Sequence, residues 1–578
     1  MRSHLVTILF PLATAVTGNG PGRKWATKLL AIMLVLALTG IAMPSAFAQV
    51  SDTTIAVEGG KIQGVAADVA GITIYKAIPF AAPPVGPNRW KAPQPVVAWS
   101  GVKDSASWPN RCYQLANANP PGTFYANEFY WDPSKDPKDS EDCLYLNIWA
   151  PAKPATGSLP VMVFYHGGGN RHGNNSEVEF NAAKLAAKGI IVVTAAYRLN
   201  LLGFLSLPGM KDEGGGNFAV LDTVEALKWV KKNIAAFGGD ASNVTIAGQS
   251  AGSRNVRALM STPLAKGLFH RAIMHSSPTV MAQPGKPNFA TFEDKIAKAA
   301  PVFEKHFPGK TLDDLRKLPI EEFYNDAART TELFGVSSGL YAAIDGKVLT
   351  QDSVDLLKQG ALNGVDVIIG TVADERTALD GAPAKDMEMS AFQAYWKKLL
   401  GDDLYASSSF EKLYPATTKL DTYRQHLKAQ ADLLLEENRI AGSILKAKNP
   451  GSKVYVYYFD HPTPGRDREY YGAWHSSDLW YTFNSLRNES GQRQWAPSDF
   501  ALAEQASSLW ANFIKTGDPN GEGLPVWPQS QRSNNGAYLW FAEHSTGAAS
   551  GSPYFGTAAE RRSALLHDYQ MKFYAVSW

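Results

Sequence analysis

The chain has 578 residues, of which 45% are hydrophobic, 19% charged and 11% aromatic, a balance that supports a large packed core and excludes a disordered or fibrous chain. The formal net charge is +2, and no long run of Lys and Arg occurs, so neither nucleic acid nor an anionic membrane surface is an expected partner.

At the N-terminus, Arg23, Lys24 and Lys28 precede the apolar run Leu29–Ala42 and the small-residue ending Ala46-Phe47-Ala48. This layout predicts a secretory signal over residues 1–48, cut after Ala48, with the mature chain starting at Gln49. The run falls short of the roughly 20 apolar residues that a spanning helix needs, so no membrane anchor is expected after cleavage. A second apolar patch, Leu5–Val16, lies upstream and makes the leader long. The chain has two cysteines, Cys112 and Cys143, and in an exported protein two thiols at this modest separation are expected to pair.

Thr54–Val57 and Lys61–Val65 alternate around Gly59-Gly60, which predicts a hairpin at the edge of a sheet. The proline-rich stretch Ile78–Gly86 reads as a stiff packed loop, since proline suits neither a helix interior nor a central strand. Phe124, Tyr125, Phe129, Tyr130 and Trp131 follow between the cysteines and can either wall a cleft or pack in the core.

Val161–Tyr165 and Ile190–Ala196 are apolar without alternation, as in strands buried on both faces of a parallel sheet. Ala226, Leu227, Val230, Ile234 and Phe237 mark one face of a helix stopped by Gly238-Gly239. Asn243–Ala247 is the next buried strand and Ala251–Met260 the next helix. Strand, helix, strand, helix in this order is a doubly wound α/β pattern, whose ligands bind at the carboxyl ends of the strands. Residues 286–340 and 385–450 are helix-rich excursions on either side of a strand at Val365–Thr371. Further strands are expected at Lys453–Phe459 and Ala537–Phe541, before a final helix. Residues 49–578 contain no repeat, low-complexity tract or linker and read as a single domain.

The second strand-to-helix junction carries Gly248-Gln249-Ser250-Ala251-Gly252. Gly-x-Ser-x-Gly after a strand is the pattern of a nucleophile elbow, where small residues flank a serine on a tight turn. His166-Gly167-Gly168-Gly169, after another strand, exposes successive N–H groups and suits an oxyanion hole, with Ala251 N–H as a further donor. A serine nucleophile needs a histidine base, and the histidine needs a carboxylate to orient it. Glu375, in Gly370-Thr371-Val372-Ala373-Asp374-Glu375, is a candidate acid with Asp374 as its neighbour and competitor. Of the eleven histidines, His475 in Gly472-Ala473-Trp474-His475 is a candidate base, and the residues alone leave His461 and His567 open.

From Ile62 to the C-terminal region the chain resembles the type B carboxylesterase and cholinesterase-like family of α/β hydrolases. The resemblance rests on Ile78–Gly86, Glu141–Trp149, His166–Gly169, Tyr197-Arg198 with Gly203-Phe204, Phe237–Asp240, Gly248–Gly252, Asp374-Glu375, Gly472–His475 and Thr516–Pro519, all in family order. It implies an α/β-hydrolase fold, a doubly wound and mostly parallel sheet with helical excursions covering the active site. It also implies Ser250 as nucleophile, Glu375 as triad acid, His475 as base, and the N–H groups of Gly168, Gly169 and Ala251 as oxyanion donors. The Cys112–Cys143 bridge is implied as well.

The chain departs from the family pattern at three places. Gln249 replaces a glutamate, keeping hydrogen bonding but losing a negative charge that would favour protonated His475. Ser253 replaces a glycine. Asn170, followed by Arg171 and His172, replaces an aromatic residue, which leaves two readings: a polar rim that favours substrates with a polar or anionic part, or a solvated loop. No metal constellation occurs, and the chemistry calls for neither metal nor cofactor. The expected activity is hydrolysis of a small or medium apolar or aromatic ester. An amidase or peptidase with the same triad, and a non-catalytic binding protein on the same fold, are the alternatives; members of the second kind have lost the serine or histidine that this chain keeps.

Overall fold

Apolar segments that do not alternate must be covered on both faces, and here they form the middle of a ten-stranded sheet. The computed structural model describes residues 53–114, 122–129, 136–152, 158–276, 288–336, 342–379, 385–465, 467–487, 493–534, 536–542, 565–566 and 569. The leader at 1–48, Tyr130, Trp131, His567 and the expected final helix lie outside the described residues, apart from short helical fragments at 565–566 and 569.

In chain order the strands of the sheet are β1 (Val65–Ala66), β2 (Ile72–Pro79), β3 (Tyr145–Pro151), β4 (Leu159–Tyr165), β5 (Ile191–Ala195), β6 (Gly239–Gln249), β7 (Arg271–His275), β8 (Asp366–Val372), β9 (Val454–Asp460) and β10 (Tyr538–Ala542). Their spatial order is β10-β9-β8-β7-β6-β4-β5-β3-β2-β1. All neighbours from β10 to β5 are parallel, and β5, β3, β2 and β1 pair antiparallel. The order reverses beside β4, because β5 is laid on one side of it and β6 on the other. The carboxyl ends of β4, β6 and β8 therefore share one edge at a topological switch point.

Every residue of β5 is 0% exposed, and a fully buried Val or Ile side chain stabilises by about 1.5–3 kcal/mol, so the middle strands dominate the core. Phe218–Asn233 covers one region of the sheet, and a 3-10 turn at Ile234–Phe237 ends on Gly238 at φ 82°, a left-handed position that suits glycine. Lys419–Lys448 packs on β8 and β9. The excursions build cores of their own: Trp90, Phe303, Phe307 and Phe323 pack in one, and Phe392, Trp396, Phe410 and Tyr414 in the other.

Thr54–Val57 and Gly60–Gln63 form the expected hairpin, at the edge of a separate three-stranded sheet with Val102–Asp104. One local expectation needs correction. The loop expected from Ile78 begins later, because Ile78 and Pro79 still pair with Leu146 and Tyr145; proline is tolerated as the last residue of its strand, where no further ladder donor is required. The charged family motifs are structural ties. Arg89 grips Glu141 with Nε–Oε1 and Nη2–Oε2 both at 2.6 Å. Arg198 grips Asp222 of the covering helix at 2.8 and 2.7 Å, fixing the end of β5 to it.

Candidate active site

Ser250 follows β6 directly and caps the helix Ala251–Ser261, with φ 56° and ψ −117°. A non-glycine residue held there stores about 1–3 kcal/mol of strain, which surrounding structure must offset. The hold is visible in the backbone: Ser250 N–H donates to His275 O at 2.9 Å, and Arg254 N–H to Ser250 O at 3.2 Å. The flanking glycines are sterically required, since a Cβ on Gly248 would strike the Gly252 backbone and one on Gly252 would strike the Tyr165 carbonyl. Ser253, by contrast, carries its side chain at a fully buried position.

Beyond β4, Gly168 and Gly169 turn through φ 94° and 65°. Arg171 and His172 N–H groups close this turn on Gly168 O, at 3.0 and 3.1 Å. Within the described residues, the N–H groups of Gly168, Gly169 and Ala251 donate to no protein acceptor. Three free amides at the edge that carries a serine can receive a developing oxyanion. His166 supports the turn from below. Its Nδ1 meets Gly167 O at 2.9 Å, its ring stacks on Tyr197 at 4.5 Å, and Tyr197 OH donates to His166 O at 2.7 Å. Burial lowers the His166 pKa to about 4, so the ring stays uncharged beside the amides.

Glu375 follows β8 and is 4% exposed. Its Oε1 accepts from Val372 N–H at 3.0 Å and from the Thr371 hydroxyl, while Oε2 meets His475 Nδ1 at 2.5 Å. The competing residues are engaged elsewhere. Asp374 takes the Ala473 N–H on Oδ2 at 2.9 Å, giving its own N–H to Ala473 O at 3.0 Å. Burial pushes its carboxyl up to about 6. His461 pairs with Asp499 at 2.7 Å.

With Nδ1–H given to Glu375, the second nitrogen of His475 carries a lone pair. That Nε2 faces the Gln249 side-chain amide nitrogen at 3.1 Å, and no hydrogen bond joins it to Ser250 Oγ among the described residues. The structure thus joins Glu375 to His475 and joins His475 to the residue beside Ser250. The contact of Gln249 with His475 is not legible from the motif.

Two further residues have roles at the site that the sequence does not show. Tyr125 OH donates to His475 O at 3.1 Å, and burial holds its phenol well above the usual range, so it remains a donor. With Phe124 and Phe129 it packs on Trp474, at centroid distances of 6.0, 4.9 and 5.9 Å. These aromatics therefore form a bed under the His475 loop, and Cys112 and Cys143, which are bonded, tie the base of their segment. His275 is the other, at the end of β7. The expected polar rim is reduced to its last two residues: Asn170 is buried and its side-chain oxygen accepts from Asn255 at 3.3 Å, whereas Arg171 is exposed and His172 partly so.

A serine on a strained strand-to-helix turn, free amides on the neighbouring strand end and a paired histidine and glutamate, set on a doubly wound sheet, define an α/β hydrolase. The sequence profile of the carboxylesterase family matches residues 51–554. The chain is 32% identical over 478 residues to a para-nitrobenzyl esterase of Bacillus subtilis (strain 168), covering 81% of this chain and 91% of that one. It is 31% identical over 520 residues to a fumonisin B1 esterase of Sphingopyxis macrogoltabida, covering 87% and 89%. A solved carboxylesterase of Geobacillus stearothermophilus superposes with a TM-score of 0.69 at 28% identity, covering 88% of this chain and 99% of that one. The chain belongs to the carboxylesterase family and is a carboxylic ester hydrolase.

Proposed function

We propose that hydrolysis runs through an acyl-enzyme on Ser250. His475 Nε2 takes the Ser250 proton as Oγ attacks the ester carbonyl, and Glu375 holds the imidazole by Nδ1–H and stabilises the imidazolium. The carbonyl oxygen becomes an oxyanion held by the N–H groups of Gly168, Gly169 and Ala251, each donor contributing about 2.7–4 kcal/mol. The alcohol leaves with the proton returned by His475. Water then attacks the acyl group by the same route and frees the acid. The observation that carries this reading is the 2.5 Å contact of His475 with Glu375 at the strand edge where Ser250 emerges. For the first step the Gln249 amide must yield Nε2 to Ser250.

The substrate inferred is a small or medium apolar or aromatic ester, in keeping with the aromatic ester in the name of the Bacillus relative. Arg171, exposed beside the glycine turn, is the feature that favours esters bearing an acidic group. Export, with residues 49–578 as one catalytic domain, fits the bonded cysteines. The test is a panel of chromogenic esters varied in acyl length, aromaticity and charge, run on the mature chain and on Ser250→Ala, with one matched ester and amide pair. Turnover of the ester far above the amide, lost in Ser250→Ala, is the expected result. An intact chain that neither turns over esters nor reacts with an active-site phosphonate overturns the reading.

A further inference from the structure

Beneath the proposed triad lies a second histidine and carboxylate pair that takes no part in the chemistry. His275 ends β7 and is 2% exposed; Asp478 is 0% exposed. His275 Nδ1 meets Asp478 Oδ2 at 2.8 Å, and Tyr457 of β9 donates its hydroxyl to the same oxygen at 2.6 Å. Trp510 Nε1–H, which can only donate, points at His275 Nε2 at 3.2 Å. That donor fixes the tautomer: Nε2 carries the lone pair, and Nδ1 carries the proton given to Asp478. A neutral imidazole uses both of its nitrogens here.

The placement of this pair is what gives it consequence. His275 O is the acceptor of the Ser250 N–H, at 2.9 Å, and His275 sits opposite Gln249 in the β6–β7 register. Asp478 lies in the short helix Ser477–Thr482 that starts just after His475. One residue thus holds the nucleophile turn by its carbonyl and the loop of the base by its ring. A buried carboxylate needs such partners, because an unpaired charge in the interior is costly. Asp478 therefore stays where its donors are, and His475 stays with it.

Resting on the assignment of Ser250 and His475 above, we propose that His275 is a positioning residue: through Asp478 it ties the loop carrying His475 to the strand edge carrying Ser250, and so sets the reach between nucleophile and base. It touches neither substrate nor reacting atoms. Its loss acts on the chemical step alone.

Three variants of the mature chain test this: His275→Gln, whose amide can donate to Asp478 and accept from Trp510, His275→Leu, which can do neither, and Tyr457→Phe, which removes one Asp478 donor with little change of shape. His275→Leu is expected to lower kcat, and the rate of labelling by an active-site phosphonate, by about 100-fold, the scale of an ångström-sized misplacement, with KM nearly unchanged. The downfield proton resonance of the hydrogen bond between His475 and Glu375 should shift or vanish with it. His275→Gln should restore both readouts. If His275→Leu does not fold, Tyr457→Phe carries the test, with a smaller loss in kcat and a shifted resonance. A folded His275→Leu or Tyr457→Phe with wild-type kcat, labelling rate and proton resonance overturns the positioning role. Full activity in Ser250→Ala would instead overturn the triad assignment on which it rests.

Discussion

Replacing Glu375 by glutamine changes one atom and should nearly abolish turnover, for a reason that lies in how the two carboxylate oxygens are used. Oε1 faces the Val372 N–H at 3.0 Å, a backbone donor that cannot rotate away, while Oε2 faces His475 Nδ1 at 2.5 Å. In Glu375→Gln the amide oxygen must stay on Val372, so the NH2 group turns to His475. Nδ1 must then accept and Nε2 must carry the proton, leaving no lone pair for the Ser250 hydroxyl. In serine hydrolases the equivalent acid-to-amide change leaves geometry intact and costs about 10,000-fold in kcat. That is about 5 kcal/mol of barrier. Burial of both partners leaves little room for a relaxed alternative. The assay is kcat and kcat/KM on a chromogenic ester, with circular dichroism to show that the variant is folded. A folded Glu375→Gln within about tenfold of wild type would refute the tautomer argument, since each tenfold is only about 1.4 kcal/mol.

Gln249→Glu puts a negative charge where the amide now meets His475 Nε2 at 3.1 Å. The charge favours protonated imidazole, activity needs the neutral ring, and so the acidic limb of the pH–rate profile should move to higher pH; movement to lower pH would refute the reasoning. At Ser250, φ 56° should reverse the usual ranking: Ser250→Gly relieves strain of about 1–3 kcal/mol and should be at least as stable to denaturant as Ser250→Ala, although both are inactive. Asp374, raised by burial from 3.8 to about 6, binds a proton more tightly folded than unfolded, so its contribution is present below pH 3.8 and lost as pH rises toward 6. Asp374→Asn should therefore gain up to about 3 kcal/mol at neutral pH and nothing in acid, and denaturation curves at the two pH values check the difference. Removing the Cys112–Cys143 bond, which spans 31 residues, should cost about 2–5 kcal/mol, read as a lower denaturation midpoint for Cys112→Ser with Cys143→Ser.

The middle of the sheet was legible because burial on both faces leaves a direct trace in the sequence: Val161–Tyr165 and Ile190–Ala196 fall on β4 and β5 almost residue for residue. The elbow was legible because its sterics admit so few residues at Gly248 and Gly252. Pairing was harder to read. The hairpin at Thr54–Val57 announced two strands but not the sheet they join, since alternation records a half-buried face and not the neighbour that covers it. Asn170 shows the same limit at the site: a polar residue in place of an aromatic looked like a rim, yet its side chain is turned inward onto Asn255. Gln249 was visible as a departure, but its contact with His475 depends on a loop that arrives 226 residues later.

The parts of the site differ in what fixes them, and this decides which were legible. Ser250 and the glycine turn hang from strand ends whose register runs unbroken across the sheet, from Tyr165 opposite Gly248, through Gln249 opposite His275, to Gly370 opposite Tyr457. Glu375 is held by backbone N–H and a hydroxyl from its own strand end. Such support is local, and local sequence records it. His475 has no strand beneath it. Its loop is held by a tyrosine from the disulfide-tied segment, by Asp374 reaching across to Ala473, and by Asp478 gripping β7 and β9. Each of these ties comes from a different part of the chain, so no window of sequence shows them together. His475, the proposed base, is for the same reason the member whose position distant substitutions can most readily disturb, and a fall in kcat without a change in KM is the signature that sets such substitutions apart from those that reshape the substrate pocket.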